Sequence, residues 1–210
     1  MPLKKLVIFP FNGNGIEALD CIDTEQYELI SFIDDDPQKR SDEYPVNSRT
    51  FLEKYQELFV LAVPGSDTSF RKRKEIINSL GVPHDKFITA IHLNASIGKK
   101  VVIGYNCLIM AGVVITSNAQ IGNHVCILPN TVIHHDTLVN EYTLIGSNVV
   151  VAGGTTIGEN CYIGSGSSII HGVHVGNASL IGLGSNIIKH VSPNSKMVGN
   201  PARDLNRKFI

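Results

Sequence analysis

An aliphatic residue recurs at every sixth position through the second half of the chain, and this repeat constrains the fold more than any other feature. The repeat occupies sixteen consecutive positions without an insertion: Ile97, Ile103, Ile109, Ile115, Ile121, Ile127, Ile133, Val139, Ile145, Val151, Ile157, Ile163, Ile169, Val175, Ile181 and Ile187. A period of six differs from the 3.6-residue period of a helix and is too regular for hairpins. It predicts short β-branched strands wound into a three-sided parallel β-helix with 18 residues per coil.

The repeat also predicts the interior of this prism. We expect the aliphatic side chains to point inward and to stack on their equivalents in the coils above and below. Glycine follows the aliphatic residue at half of the positions, and we expect these glycines at corners, where they permit backbone angles that a Cβ atom would oppose. With about 4.8 Å between coils, slightly more than five coils make a prism roughly 25 Å long.

The first 90 residues have a different pattern, in which apolar runs of strand length alternate with stretches of helical character. Strands are predicted at residues 5–9, 29–34 and 58–63, and helices at residues 15–22, 51–55 and 69–80. This alternation predicts a small parallel α/β (Rossmann-like) unit over residues 1–90, with the β-helix and a C-terminal tail over residues 91–210.

Composition excludes several classes of function. A net charge of -1 gives no field that would attract nucleic acid or an anionic membrane. No apolar stretch reaches the roughly 18 residues that would cross a bilayer. The four cysteines show no CxxC spacing and are interpreted as reduced thiols, which favours a cytoplasmic location.

Three loops of the α/β unit are candidate ligand loops, because each follows a predicted strand at the carboxyl edge of the sheet. The first contains Gly13 and Asn14, the second contains Asp34 and Asp35, and the third contains Gly65. A glycine turn before a helix offers free N–H groups to a phosphate, and an acidic residue after the second strand commonly meets a ribose or base. A glycine-rich turn is also common in any βαβ unit, so a purely structural role stays open. The charge run at residues 71–74 is interpreted as a solvated helix face, with ligand binding by Arg71 as the alternative.

His135 and Asp136 stand near a corner of the prism, outside the inward aliphatic stack. A histidine with a pKa near neutrality is a natural general base, and the neighbouring carboxylate can polarise it or can cap a turn. His171 lies two coils further along the same edge, which raises the alternative of a zinc site. No third histidine completes a set of ligands, so no metal is expected.

Four segments together resemble one known family: NGNG, FIDDDP, VIHHD at mid-prism and the terminal VGNPAR, combined with the repeat array. The chain resembles the sialic-acid O-acyltransferase-like family, which includes NeuD, PglD and VioB-like enzymes. The resemblance implies a left-handed β-helix, a homotrimer with active sites between subunits, and acetyl transfer from acetyl-coenzyme A. The acceptor would be a nucleotide-linked amino sugar or a sialic acid.

The resemblance also implies roles for single residues. His135 matches the catalytic base and Asp136 the acidic residue beside it, while Gly153 matches a glycine whose N–H faces the acetyl carbonyl. Ser165 and Leu183 match coenzyme-binding positions. The nucleotide-sugar loops are matched by Gly13, Asn14, Asp34 and Asp35. Two family histidines are replaced, one by Asn14 and one by Leu144.

From these features we predict an acetyltransferase that acts on the amino group of a nucleotide-linked amino sugar by direct attack. Two alternatives stay open, O-acetylation of a sialic-acid-like sugar and a trimeric sugar-nucleotide binder without catalysis.

Overall fold

The computed structural model describes residues 2–55 and 57–205, and the first part of the chain forms a parallel sheet flanked by short helices. The strands are β1 (Lys4–Phe9), β2 (Tyr27–Ile33), β3 (Val46–Asn47) and β4 (Phe59–Ala62), in the order β3-β2-β1-β4. The α-helices are α1 (Gly13–Glu17), α2 (Thr50–Lys54) and α3 (Arg73–Asn78), and 3₁₀ turns span Ala18–Cys21, Phe70–Lys72 and His84–Lys86. The predicted helices at residues 15–22 and 69–80 are therefore each divided into an α and a 3₁₀ segment. We call these elements the α/β unit.

The rest of the described chain is a three-sided prism of two-residue parallel strands. The first side consists of Ala90–Ile91, Leu108–Ile109, Cys126–Ile127, Leu144–Ile145, Tyr162–Ile163 and Leu180–Ile181, and the hairpin Lys196–Gly199/Ala202–Asp204 extends it. The second side consists of Ser96–Ile97, Val114–Ile115, Val132–Ile133, Val150–Val151, Ser168–Ile169 and Asn186–Ile187. The third side consists of Val102–Ile103, Gln120–Ile121, Leu138–Val139, Thr156–Ile157 and His174–Val175.

The sequence repeat and the strand register agree. Val132 pairs with Val114 on one side and Val150 on the other, so one coil contains 18 residues. All sixteen predicted aliphatic residues lie in these strands, and all but Ile97 and Ile103 are buried. Ile97 is 40% exposed because it lies in the first coil, with no coil beneath it.

The glycines that follow the aliphatic residues have a different role from the predicted one. Their backbone angles are ordinary, but a Cβ atom on Gly146 would lie 2.6 Å from the N atom of Ser165 in the next coil. These glycines permit the coils to approach each other closely. The left-handed angles occur two residues later in each turn, for example at Asn118 (φ 63°) and Asn148 (φ 55°), where asparagine, aspartate and glycine predominate.

The α/β unit packs on the first side of the prism, and the two share one hydrophobic core. Leu6 and Leu61 of the sheet belong to the same buried cluster as Leu108 and Leu144 of the first side. Because these side chains leave water together, the two parts of the chain stabilise each other.

The corner between the third and first sides, which we call the third corner, contributes polar contacts to this junction. The prediction of a solvated charge run at residues 71–74 is wrong for Arg73, which is fully buried. Arg71 donates to the carbonyl of Ala178 at 3.1 Å, and Lys74 forms an ion pair with Glu159 at 2.6 Å. Charged residues of α3 and the turn before it are therefore used to join the unit to the prism.

His124, at the third corner, is buried in a neutral state. Its Nδ1 atom lies 2.8 Å from Nδ2 of Asn106, and its ring stacks on Tyr142 with the centroids 4.6 Å apart. The amide nitrogen can only donate, so the Nδ1 atom accepts and carries no proton. Burial, followed by the nearby positive charge of Arg73, lowers the pKa of His124 from 6.5 to about 4.

We therefore expect the protein to lose stability as the pH falls from 6.5 towards 4. In that window the unfolded chain binds a proton at this position and the folded chain does not, so folding is opposed by up to ~3 kcal/mol. His124→Phe keeps an aromatic ring but cannot be protonated, and the dependence of its melting temperature on pH should be flatter. Thermal melts at fixed protein concentration between pH 7.5 and 4.5 measure this. His171→Phe, at an exposed histidine, is the control.

Candidate active site

His135 and Asp136 lie in the turn between the second and third sides, which we call the second corner. The Nδ1 atom of His135 lies 2.7 Å from Oδ2 of Asp136, whose Oδ1 accepts from Nδ2 of Asn118 at 3.0 Å. These two hydrogen bonds lower the pKa of Asp136, and the one with His135 has the larger effect. The carboxylate is therefore ionised at neutral pH. The carboxylate therefore holds the proton of a neutral imidazole on Nδ1 and leaves the lone pair of Nε2 free.

The imidazole ring lies directly over Gly153, one coil further along the corner. A Cβ atom at Gly153 would be 2.7 Å from both Cε1 and Nε2 of His135, so only glycine leaves room for the ring. The neighbouring Gly154 N–H donates to the carbonyl of His135 at 3.0 Å. Among the described residues the Gly153 N–H donates to no acceptor, so a basic nitrogen and a free N–H group lie side by side.

The loops that follow β1 and β2 are joined by one buried carboxylate. Asp34 accepts from the N–H of Phe11 at 2.9 Å and from the N–H of Asp36 at 2.9 Å. Lys39 binds the same carboxylate at 2.9 Å and also donates to the carbonyl of Phe11 at 2.7 Å. Asp34 thus holds the backbones of the two predicted ligand loops together. Lys39 was not predicted, because nothing in its sequence context distinguishes it from a surface lysine.

Gly13 and Asn14 lie at the start of α1, beside that junction. Nothing lies within 4 Å of a Cβ atom built on Gly13, so the space above it is open. Gly15 has the opposite role, because a Cβ atom there would clash with the carbonyl oxygen of Pro10. Asp35 is exposed and forms an ion pair with Arg49, whose Nη2 donates to it at 2.7 Å.

Gly65 lies at the same sheet edge, in the loop after β4. The N–H of Val63 donates to the carbonyl of Phe9 at 2.7 Å, which links the ends of β4 and β1. Gly65 has a φ of +122°, a backbone angle that residues other than glycine rarely adopt. The structure therefore brings the predicted substrate residues to one edge of the α/β unit.

A single chain does not bring this edge together with His135. The α/β unit covers the first side, whereas His135 lies at the second corner, which is opposite that side. Leu144, which replaces a family histidine, is buried on the first side, and its Cδ1 atom lies 3.6 Å from a Cβ atom built on Gly65.

Ser165 and Leu183 lie at the first corner, between the first and second sides. The Oγ atom of Ser165 accepts from the N–H of Ser147 at 3.0 Å, and Leu183 is 72% exposed. Within one subunit, His135, Asp136 and Gly153 thus lie at the second corner, whereas Ser165 and Leu183 lie at the first corner. The predicted substrate residues lie in a third place, at the edge of the α/β unit.

Further along the second corner, beyond His135 and Gly153, an open cavity of about 600 Å³ carries basic side chains. Its lining includes His171, Lys189 and His190, together with Ile170 and Ile188. Within residues 2–55 and 57–205, no three histidine, cysteine, aspartate or glutamate side chains are grouped so that they could hold a metal ion. None of the helices in the same residues is long and apolar enough to cross a membrane.

The repeat region matches two known families. The family described as bacterial transferase hexapeptide (six repeats) matches residues 118–153, and the hexapeptide repeat of succinyl-transferase matches residues 94–129 and 154–187. Comparison with curated protein sequences gives no significant match.

Solved structures share the fold over nearly the whole chain. The acetyltransferase domain of PglB from Neisseria gonorrhoeae FA1090 is 24% identical, with a TM-score of 0.85 over 96% of this chain and 100% of that one. PerB from Caulobacter crescentus, solved with CoA and GDP-perosamine, is 23% identical, with a TM-score of 0.82 over 95% and 96% of the two chains. WeeI from Acinetobacter baumannii AYE is 24% identical, with a TM-score of 0.79 over 97% and 100%.

These similarities confirm the predicted fold class, an α/β unit followed by a left-handed parallel β-helix of hexapeptide repeats. The chain thus contains hexapeptide repeats and shares its fold with the acetyltransferase domain of PglB, with PerB and with WeeI.

Proposed function

We propose that the protein transfers the acetyl group of acetyl-coenzyme A to the amino group of a nucleotide-linked amino sugar. The observation that carries this proposal is the pairing of a free His135 Nε2 atom with the free N–H of Gly153, with Nδ1 held by Asp136. Proteins of the same fold support it. The PglB domain was solved with acetyl-coenzyme A, and a GDP-perosamine N-acetyltransferase from Caulobacter crescentus was solved with CoA and GDP-perosamine. Asp34 and Lys39 would shape the loops that receive the nucleotide.

The proposed reaction is a direct transfer. The amine nitrogen attacks the thioester carbonyl carbon while Nε2 of His135 takes a proton from it, and Asp136 stabilises the resulting imidazolium. The Gly153 N–H donates to the oxyanion of the tetrahedral intermediate. The carbon–sulfur bond then breaks, and the coenzyme thiolate leaves and takes the proton from His135. The net products are an N-acetyl sugar and free coenzyme A.

We further propose a homotrimer whose second sides face the threefold axis. The outward residues of that side in three successive coils are all valine, Val114, Val132 and Val150, whereas the third side mixes polar and apolar residues. Closed symmetry would bury this apolar strip equally in every subunit. Each second corner would then meet the first corner of the next subunit, which would place His135 near that subunit's α/β unit, Ser165 and Leu183.

Val132→Arg should therefore convert the trimer to monomers and remove activity, because a charge at the centre of the apolar strip would be buried without a partner. Leu138→Arg is the matched control, since Leu138 points outward from the third side of the same coil and is 37% exposed. Sedimentation velocity of the two variants distinguishes the sides. A trimeric Val132→Arg variant beside a monomeric Leu138→Arg variant would show that the third side forms the interface.

The basic cavity of the second corner suits the phosphates of the coenzyme. Lys189 is 54 residues, or three coils, beyond His135, which is about 14 Å along the prism axis. An extended pantetheine arm can span that distance. Lys189→Ala should raise KM for acetyl-coenzyme A about three- to tenfold with little change in kcat. Lys99→Ala, two coils before His135 on the same corner, should leave KM unchanged; equal effects of both variants would contradict this direction of the coenzyme.

The test of the function is a thiol-release assay with acetyl-coenzyme A and a panel of UDP-, GDP- and dTDP-linked amino sugars, with free sialic acid included. Release that depends on an amino sugar, with an N-acetyl product by mass spectrometry, supports the proposal. Release with sialic acid alone would replace it by O-acetylation. If the protein binds a sugar nucleotide but neither binds acetyl-coenzyme A nor releases its thiol, it is a sugar-nucleotide binder without catalysis.

A further inference from the structure

Arg73, the first residue of α3, is a fully buried cation without a carboxylate partner among the described residues. Its Nη1 atom donates to the carbonyl of Pro64, and its Nη2 atom donates to the carbonyl of His124 at 2.8 Å. Its Nε atom is buried and has no hydrogen-bond partner. A buried guanidinium is costly to desolvate and contributes little to stability on balance. A reason beyond stability is therefore expected for its presence.

The two carbonyls that Arg73 binds belong to separate parts of the molecule. Pro64 lies in the loop after β4, at the edge where the substrate residues gather, and His124 lies in the third corner of the prism. A Cβ atom built on Gly65 would lie 3.5 Å from Cδ of Arg73 and 3.6 Å from Cδ1 of Leu144. The loop thus rests on one side chain from the α/β unit and one from the prism.

We propose that Arg73 is a positioning residue of the nucleotide-sugar site, which holds the Pro64–Gly65 backbone in a fixed place against the prism. The inference rests on the proposed function of that loop. A guanidinium suits this task because its donors diverge in a rigid plane and can reach two carbonyls at once. A lysine at this position has one nitrogen to serve both carbonyls, and a methionine has none.

Arg71 and Lys74 are matched controls, because they test whether Arg73 only attaches the α/β unit to the prism. Arg71 and Lys74 also cross from the α/β unit to the prism, but both are exposed and bind Ala178 and Glu159. Neither has a hydrogen bond to the Pro64–Gly65 loop. If Arg73 merely attached the unit to the prism, loss of these contacts would produce the same effects in weaker form.

The experiment compares Arg73→Lys and Arg73→Met with Arg71→Ala and Lys74→Ala in the full-length protein. In the ligand-free protein, hydrogen–deuterium exchange at residues 62–66 should become faster in both Arg73 variants and stay unchanged in the controls. In the acetylation assay, KM for the nucleotide sugar should rise about tenfold in Arg73→Met and less in Arg73→Lys, with KM for acetyl-coenzyme A unchanged.

Failure of this inference can be told apart from failure of the proposed function. If the unaltered protein acetylates no sugar of the panel, the function is wrong, and the exchange measurement still decides whether Arg73 fixes the loop. Unchanged exchange at residues 62–66, or equal rises of KM for both substrates, would overturn the positioning role. If neither Arg73 variant yields a folded protein with native circular dichroism, Arg73 is a structural residue and the inference fails.

Discussion

His135→Ala should lower kcat by roughly 10²- to 10⁴-fold and leave the fold and the trimer intact. The imidazole is the group whose Nε2 atom is free to take the proton of the attacking amine, and loss of a general base has an effect of this size. Because the side chain is 65% exposed, its removal opens no cavity in the core and should cost little stability. Affinity for the coenzyme should change much less than kcat.

His134→Ala is the control for this experiment. His134 is the preceding residue, and its backbone N–H donates to the carbonyl of Val151 at 2.9 Å, a bond that the substitution keeps. The variant should remain active. If His134→Ala is inactive and His135→Ala is active, the base is His134 and the assignment to His135 is wrong. If both variants are active, the reaction uses neither histidine as its base.

The prism could be predicted from the sequence because every repeat has an aliphatic residue at the same position. Inside the prism each inward residue, such as Ile133, meets the same environment as Val151 in the next coil. One rule therefore accounts for the strand positions of all sixteen residues and for the burial of fourteen of them. The predicted role of the glycines at corners is wrong, because the contact that requires glycine is made with a residue 19 positions later, in the next coil. A Cβ atom on Gly164, for example, would lie 2.7 Å from the N atom of Leu183.

The junction between the α/β unit and the prism could not be predicted in the same way. Arg73 lies among four consecutive basic residues, and only the fold shows that it is buried beside Pro64 while its neighbours are exposed. Lys39 likewise acquires a role only when two loops meet at Asp34. Such contacts join residues far apart in the sequence, and no local period or spacing marks them.

Two inactive variants should restore activity to each other in a mixed trimer, because the substrate edge and His135 are far apart within one chain. Gly13→Phe should block the nucleotide loops without disturbing the fold, because the space around its Cβ position is open. It retains His135, whereas His135→Ala retains the loops. Each variant alone should have almost no activity.

In trimers formed from equal amounts of the two variants, about a quarter of the wild-type activity should return. A complete site needs His135 from one subunit and open loops from the next, and random assembly gives each of these a probability of about one half. Co-expression of the two variants in equal amounts, purified without selection against homotrimers, provides this random mixture. The separately purified variants mixed without subunit exchange are the control. If base and loops of one subunit served the same site, every site in the mixture would carry one defect and no activity would return. A recovery near one quarter is therefore the result that only a site shared between subunits can give.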